Sequence, residues 1–160
     1  MTEEELREKI KAITDGPALI VAAVHKVDDR TLKHKPDPKK WCALEILGHL
    51  ADVEVLYGYR LRQMLADKDP VIAPVDQDDW ARNLGYMEAS KDELLEPYLA
   101  ARRANLRLLR RLTAADLDKG AFHPEHKRKV TVAELIGMMA GHDSNHARQI
   151  MELRKSAAGA

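Results

Sequence analysis

The residues of this chain best suited to chemistry are two histidines in the stretch GHDSNHARQI, His142 and His146. Successive helix positions are separated by ~100°, so residues four apart come back to within ~40° of each other. Both imidazoles therefore project from one face, one turn apart. That face also carries Leu135, Met138 or Met139, Gln149 and Leu153, which marks it as the inward side of a helix. An H-x-x-x-H pair on a helix can chelate a divalent metal, since both rings converge on one ion about 2 Å from each nitrogen. By itself the pair is also compatible with two histidines hydrogen-bonded at a helix surface or to backbone.

A third imidazole changes the weight. His49 lies in the run EILGHLADVE, on a face shared with Ile46, Val53 and Leu56. Three imidazoles in one interior would each need a hydrogen-bond partner. One metal ion satisfies all three and keeps a position open, as catalytic rather than structural sites do. Among the neighbours, Asp52 follows His49 by one turn and is a candidate to orient a ligand, or else a solvated carboxylate. Glu45 precedes His49 by one turn, which suggests a general base, although its place in a capping box is reason enough for it. Asp143 and Asn145 fall off the ligand face and are expected to bond near the helix surface or the metal's rim, and Arg148 and Gln149 are candidates to line the site or simply to pack. His123 and His126 lie in FHPEHKRK, read as a solvated loop, and His25 and His34 are read as ordinary. Met138 and Met139 are read as core filler. Trp41 and Trp80 anchor a helix entry and a long connection, and Trp80 could wall a pocket. Cys42 lacks an adjacent base and is not read as a nucleophile.

The elements that must position these residues are helices with well-marked starts. S/T-x-x-E capping boxes open them at Thr2–Glu5, Ser90–Glu93 and Thr131–Glu134. Gly16-Pro17 is expected to break or kink the first helix, with Asp15 as a new cap and a second segment from Ala18 to about Asp29. The next helix is expected over Ala43 to about Leu65, with Cys42 at its cap. A third should reach about Leu112 and the last about Lys155. No run shows a period-2 strand pattern flanked by hairpin turns. Four long helices make an all-α four-helix bundle in one domain, residues 1–155, with residues 156–160 a frayed tail. The connection over residues 66–89 has 24 residues, with a short helical turn expected over Asp76 to Asn83. A helix of about 23 residues is roughly 35 Å long. Such a connection can cross the whole bundle, which puts an up-down-down-up order ahead of a plain up-down-up-down one.

Composition narrows the function. With 26 Lys and Arg against 26 Asp and Glu, the formal charge is zero, unlike the basic excess of most nucleic-acid binders. No run of about 18 apolar residues offers a membrane span. The N-terminal stretch MTEEELREKI does not read as a signal peptide, and the single cysteine fits a reducing cytoplasm.

The pattern W-x-x-x-E-I-L-G-H-L-x-D-x-E, Trp41 to Glu54, together with G-H-D-x-x-H-x-R-Q-I over residues 141–150, resembles the DinB/YfiT-like superfamily of metalloenzymes. The segment VDQDDWA, residues 75–81, followed by Tyr86, is similar to the middle of such domains. Cys42 departs from the Ser or Thr that similar sequences carry as the helix cap. The resemblance implies an up-down-down-up bundle and a divalent metal, commonly nickel or zinc, on His49, His142 and His146. It also implies a small-molecule substrate, a homodimer, and either hydrolysis or thiol S-transfer with a low-molecular-weight thiol. An open metal position would serve either: water activated for ester or amide hydrolysis, or a stabilised thiolate attacking an electrophile. The scattered Arg60, Arg62 and Arg82 offer no evident cradle for a thiol's carboxylates. The alternative is a non-catalytic, stress-related dimeric metal-binding module, paired through faces carrying Tyr57 and Tyr59.

Overall fold

The computed structural model describes residues 1–159. Four long helices dominate it: α1 (Glu3–Val24), α3 (Ala43–Ala66), α5 (Lys91–Leu109) and α6 (Val132–Ala158). Two short ones, α2 (Asp29–Leu32) and α4 (Gln77–Asn83), lie in the connections. The capping boxes form at Thr2, Ser90 and Thr131. At Cys42 the glutamate provides the bond, with Glu45 Oε2 accepting from the Cys42 N–H at 2.8 Å.

Contacts between helices fix their directions. Glu54 meets Arg102 and Gly58 meets Asn105, so α3 and α5 run parallel. Gly16 meets Asp143 and the Ala23 carbonyl accepts from Arg154, so α1 and α6 run parallel. His49 packs on His146 while Tyr57 packs on His142, so α3 and α6 oppose each other. The order is up-down-down-up, and the segment between α3 and α5 travels the length of the bundle. No helix among the described residues is long and apolar enough to cross a membrane.

The core has two apolar storeys. One gathers Leu44, Leu47, Leu50, Tyr98 and Ile150, the other Val53, Leu61, Leu109, Ile136 and Met139. A buried polar group joins all four long helices. Arg102, only 2% exposed, donates to Glu54 Oε2 at 2.8 Å, to Asp143 Oδ2 at 2.5 Å and Oδ1 at 3.1 Å, and to the Ile13 carbonyl at 2.7 Å. Asn105 Nδ2 donates to Glu54 Oε1 at 2.9 Å. Burial by itself would lower the Arg102 pKa, but the hydrogen bonds to Glu54 and Asp143 outweigh it and hold the guanidinium charged.

Several expectations need correction. Gly16-Pro17 does not break α1, which runs through both residues. Proline lacks the N–H that would serve the carbonyl four residues back. That carbonyl is Ile13, and Arg102 supplies its donor. Gly16 is required for a different reason: a Cβ there would overlap the Asp143 carboxylate. The stretch holding His123 and His126 is not a free loop. Strands β1 (Gly120–His123) and β2 (Arg128–Thr131) form an antiparallel hairpin, and Val71 of the long connection bridges to Phe122. The third long helix stops at Leu109, short of Leu112, and α6 continues to Ala158, through most of the expected frayed tail. Ala160, the end of that tail, lies outside the described residues.

Arg102→Met leaves two buried carboxylates and the Ile13 carbonyl without their donor. It is expected to cost about 3–5 kcal/mol in urea unfolding. Adding Pro17→Ala should recover part of that loss, because an alanine in place of the proline brings its own N–H to the Ile13 carbonyl. Equal effects of Pro17→Ala in the parent and in the Arg102→Met protein would break the link between the two residues.

Candidate metal centre

His49 projects from the second turn of α3, and His142 and His146 from two successive turns in the middle of α6. The opposed α3 and α6 bring the three rings together. Their ring centroids are 5.1 Å apart for His49 and His142, 4.9 Å for His49 and His146, and 4.6 Å for His142 and His146. One nitrogen from each ring lies within 4.8 Å of the other two, and His49 Nε2 stands 3.1 Å from His142 Nε2. Two nitrogens on one tetrahedral zinc-like ion stand about 3.4 Å apart, so the His49–His142 pair is already at ligand spacing and the widest pair must close in on binding.

The donor chemistry fits a metal. His49 is 4% exposed, and burial, with the two neighbouring imidazoles adding to it, pushes its pKa down to about 3. Burial and His146 push His142 down to about 4, against the opposing pull of Asp143. Burial also lowers His146, opposed by its hydrogen bond to Gln149. All three rings are therefore neutral at pH 7, with lone pairs to give. Gln149 Oε1 accepts from His146 Nδ1 at 3.0 Å. An amide oxygen only accepts, so the proton sits on Nδ1 and the Nε2 lone pair is left for a ligand role.

A cleft of about 570 Å³ is lined by Trp41, Pro74, Val75, Asp76, Asp78 and Glu125, and none of the three histidines is in its wall. Trp41 belongs to both places, for its ring centroid is 4.8 Å from that of His49. Among the described residues the cleft wall carries three carboxylates and no lysine or arginine.

The other sequence candidates fall as follows. Asp52 accepts from the Tyr86 hydroxyl, and Glu45 accepts from the Cys42 N–H and from Lys35 Nζ at 2.7 Å. Asp143, expected near the helix surface, is buried on Arg102. Asn145 bonds Arg148 on the exposed side, while Gln149 reaches the site through His146. His123 and His126 stack with centroids 4.1 Å apart on the hairpin, outside the three-histidine cluster. Cys42 is buried beside Met87, and burial raises its thiol pKa. Met139 is core, whereas Met138 is 48% exposed. Tyr59 is 58% exposed, but Tyr57, expected on an outer face, is buried with its ring edge-on to His142. Its i+8 spacing from His49 was the signal available in the sequence.

The sequence pattern of the DinB superfamily matches residues 12–150. The chain belongs to the DinB superfamily. This DinB chain is 24% identical over 155 residues to "Putative metal-dependent hydrolase YfiT" of Bacillus subtilis (strain 168), covering 97% of the chain and 87% of that protein. It is 29% identical over 153 residues to a protein of the same description, OB0782, from Oceanobacillus iheyensis, covering 94% of the chain and 86% of that protein. The solved structure of YfiT from Bacillus subtilis, described as a probable metal-dependent hydrolase with an unusual four-helix bundle topology, superposes with a TM-score of 0.91 at 24% identity, over 99% of this chain and 90% of that one. A mycothiol-dependent maleylpyruvate isomerase superposes with a TM-score of 0.71 at 14% identity, over 94% of this chain and 63% of that one. At these identities the two superpositions speak for the DinB fold.

The depressed histidine pKa values predict acid sensitivity in the metal-free DinB chain. Unfolded histidines bind a proton below about pH 6.5, whereas folded His49 and His142 stay neutral down to about 3 and about 4. The unfolded state thus binds more protons in that window, and stability falls as pH drops. Urea midpoints measured at pH 7 and pH 5 should decline, and His49→Leu/His142→Leu should decline less. Parallel declines in the two proteins would argue against buried neutral imidazoles.

Proposed function

We propose that this DinB chain is a metal-dependent enzyme acting on a small molecule, with hydrolysis of an ester or amide as its reaction. His49, His142 and His146 hold a divalent transition metal, zinc or nickel. The observation that carries this reading is three neutral imidazole nitrogens gathered within 4.8 Å, with Trp41 linking them to a cleft of about 570 Å³. When bound by three nitrogens with a position left open, such an ion acidifies water and polarises a carbonyl oxygen. The chain's own contribution is to keep the three rings unprotonated by burial, to fix the His146 tautomer through Gln149, and to wall the reacting space with Trp41. The curated relatives named as metal-dependent hydrolases support the same reading. Thiol transfer draws support from fold likeness alone, and the three carboxylates of the cleft wall are poorly suited to a thiol that itself carries carboxylates.

Elemental analysis of the purified protein is expected to find near-stoichiometric transition metal. His49→Ala, His142→Ala and His146→Ala should each lose most of it while keeping helical circular dichroism. Equal metal in all four proteins would refute the ligand assignment. A panel of esters, amides and thiol–electrophile pairs, assayed with zinc, nickel and manganese, should give turnover on the first two groups. Turnover confined to the thiol-dependent pairs would replace hydrolysis with transfer.

A further inference from the structure

Tyr57 sits two turns after His49 on α3, and its ring stands edge-on to His142, with centroids 5.7 Å apart and planes at 83°. The residue is 9% exposed, yet its phenol oxygen is neither enclosed nor hydrogen-bonded among the described residues. The hydroxyl is therefore free to bond a partner that comes from outside the protein. Glu54 and Asp143, interior carboxylates whose charges act on this phenol, are both engaged by Arg102 and do not take its proton. Side chains on a helix lean toward its N-terminus, which carries the Tyr57 ring toward the turn of Val53, on the way to His49. A phenol is protonated at neutral pH, so the group is a donor and not a base.

We propose that the Tyr57 hydroxyl donates a hydrogen bond to an oxygen of the ligand held on the open side of the three-histidine cluster. This rests on the metal reading above and deepens it. An O–H donor bonds well to a carbonyl or carboxylate oxygen and poorly to sulfur. Tyr57 therefore selects ligands that meet the site through oxygen, as an ester, an amide or the carboxylate product of their hydrolysis does, over ligands that meet it through a thiolate.

The test compares cobalt-loaded parent with cobalt-loaded Tyr57→Phe, following the visible spectrum during titration with acetohydroxamate and, separately, with ethanethiol. Cobalt content should be the same in both proteins. Acetohydroxamate should bind roughly tenfold more weakly to Tyr57→Phe, the loss of one hydrogen bond to a charged acceptor, and ethanethiol should be unaffected. Unchanged acetohydroxamate affinity, or no spectral response to it in the parent, overturns the proposal. So does an equal loss for both ligands, or loss of cobalt from Tyr57→Phe, which would make Tyr57 a packing residue for His142. A parent that takes up no cobalt overturns the three-histidine reading itself, and this one with it.

Discussion

Everything in this bundle turns on one guanidinium placed where water does not reach. Arg102 joins α5 to Glu54 of α3, to Asp143 of α6 and to the Ile13 carbonyl of α1. A buried ion pair is a poor source of net stability, because desolvating the charges cancels most of their attraction. Its strength is directional. Bidentate bonds to Asp143 and a shared donor for Ile13 tolerate little sliding of one helix along another. Apolar storeys above and below would pack almost as well after a one-turn slip, whereas this layer would lose its partners.

The register so fixed is what assembles the site. Asp143 is the immediate neighbour of His142, and Glu54 lies five residues beyond His49. Fixing the two carboxylates on one guanidinium therefore fixes the relative heights of His49 and His142 across the α3–α6 seam. Burial then does the chemical tuning, keeping the imidazoles neutral where an exposed cluster would be partly protonated. Gln149 adds orientation at the one ring whose far side faces outward.

The His142–His146 pair and most helix starts could be read from the sequence because their determinants are local, whereas His49, 93 positions away from His142, was joined to the pair by its core-facing position and by the family resemblance. The four-residue spacing of His142 and His146 and the boxes at Thr2, Ser90 and Thr131 need nothing from elsewhere in the chain. The length of the connection after α3 sufficed for the up-down-down-up order. Other features were not legible, each for a non-local reason. Pro17 looks like a helix breaker until its orphaned acceptor is given a donor 89 residues beyond Ile13. Asp143 looks superficial because helical periodicity says nothing of Arg102. The hairpin strands are four residues long and bury only Ala121 and Val130, too little for alternation to show. Tyr57 stands at i+8 from the core-facing His49, but that spacing alone does not reveal which neighbour will cover it.

The pairing of α1 with α6 and of His49 with a ring 93 positions later has a consequence for biogenesis. During synthesis α1 emerges without its parallel neighbour, and His49 waits in an incomplete wall until α6 leaves the ribosome. A chain stalled anywhere before residue 142 offers a single imidazole of the trio. On the metal reading proposed above, the site would exist only once α6 has been made.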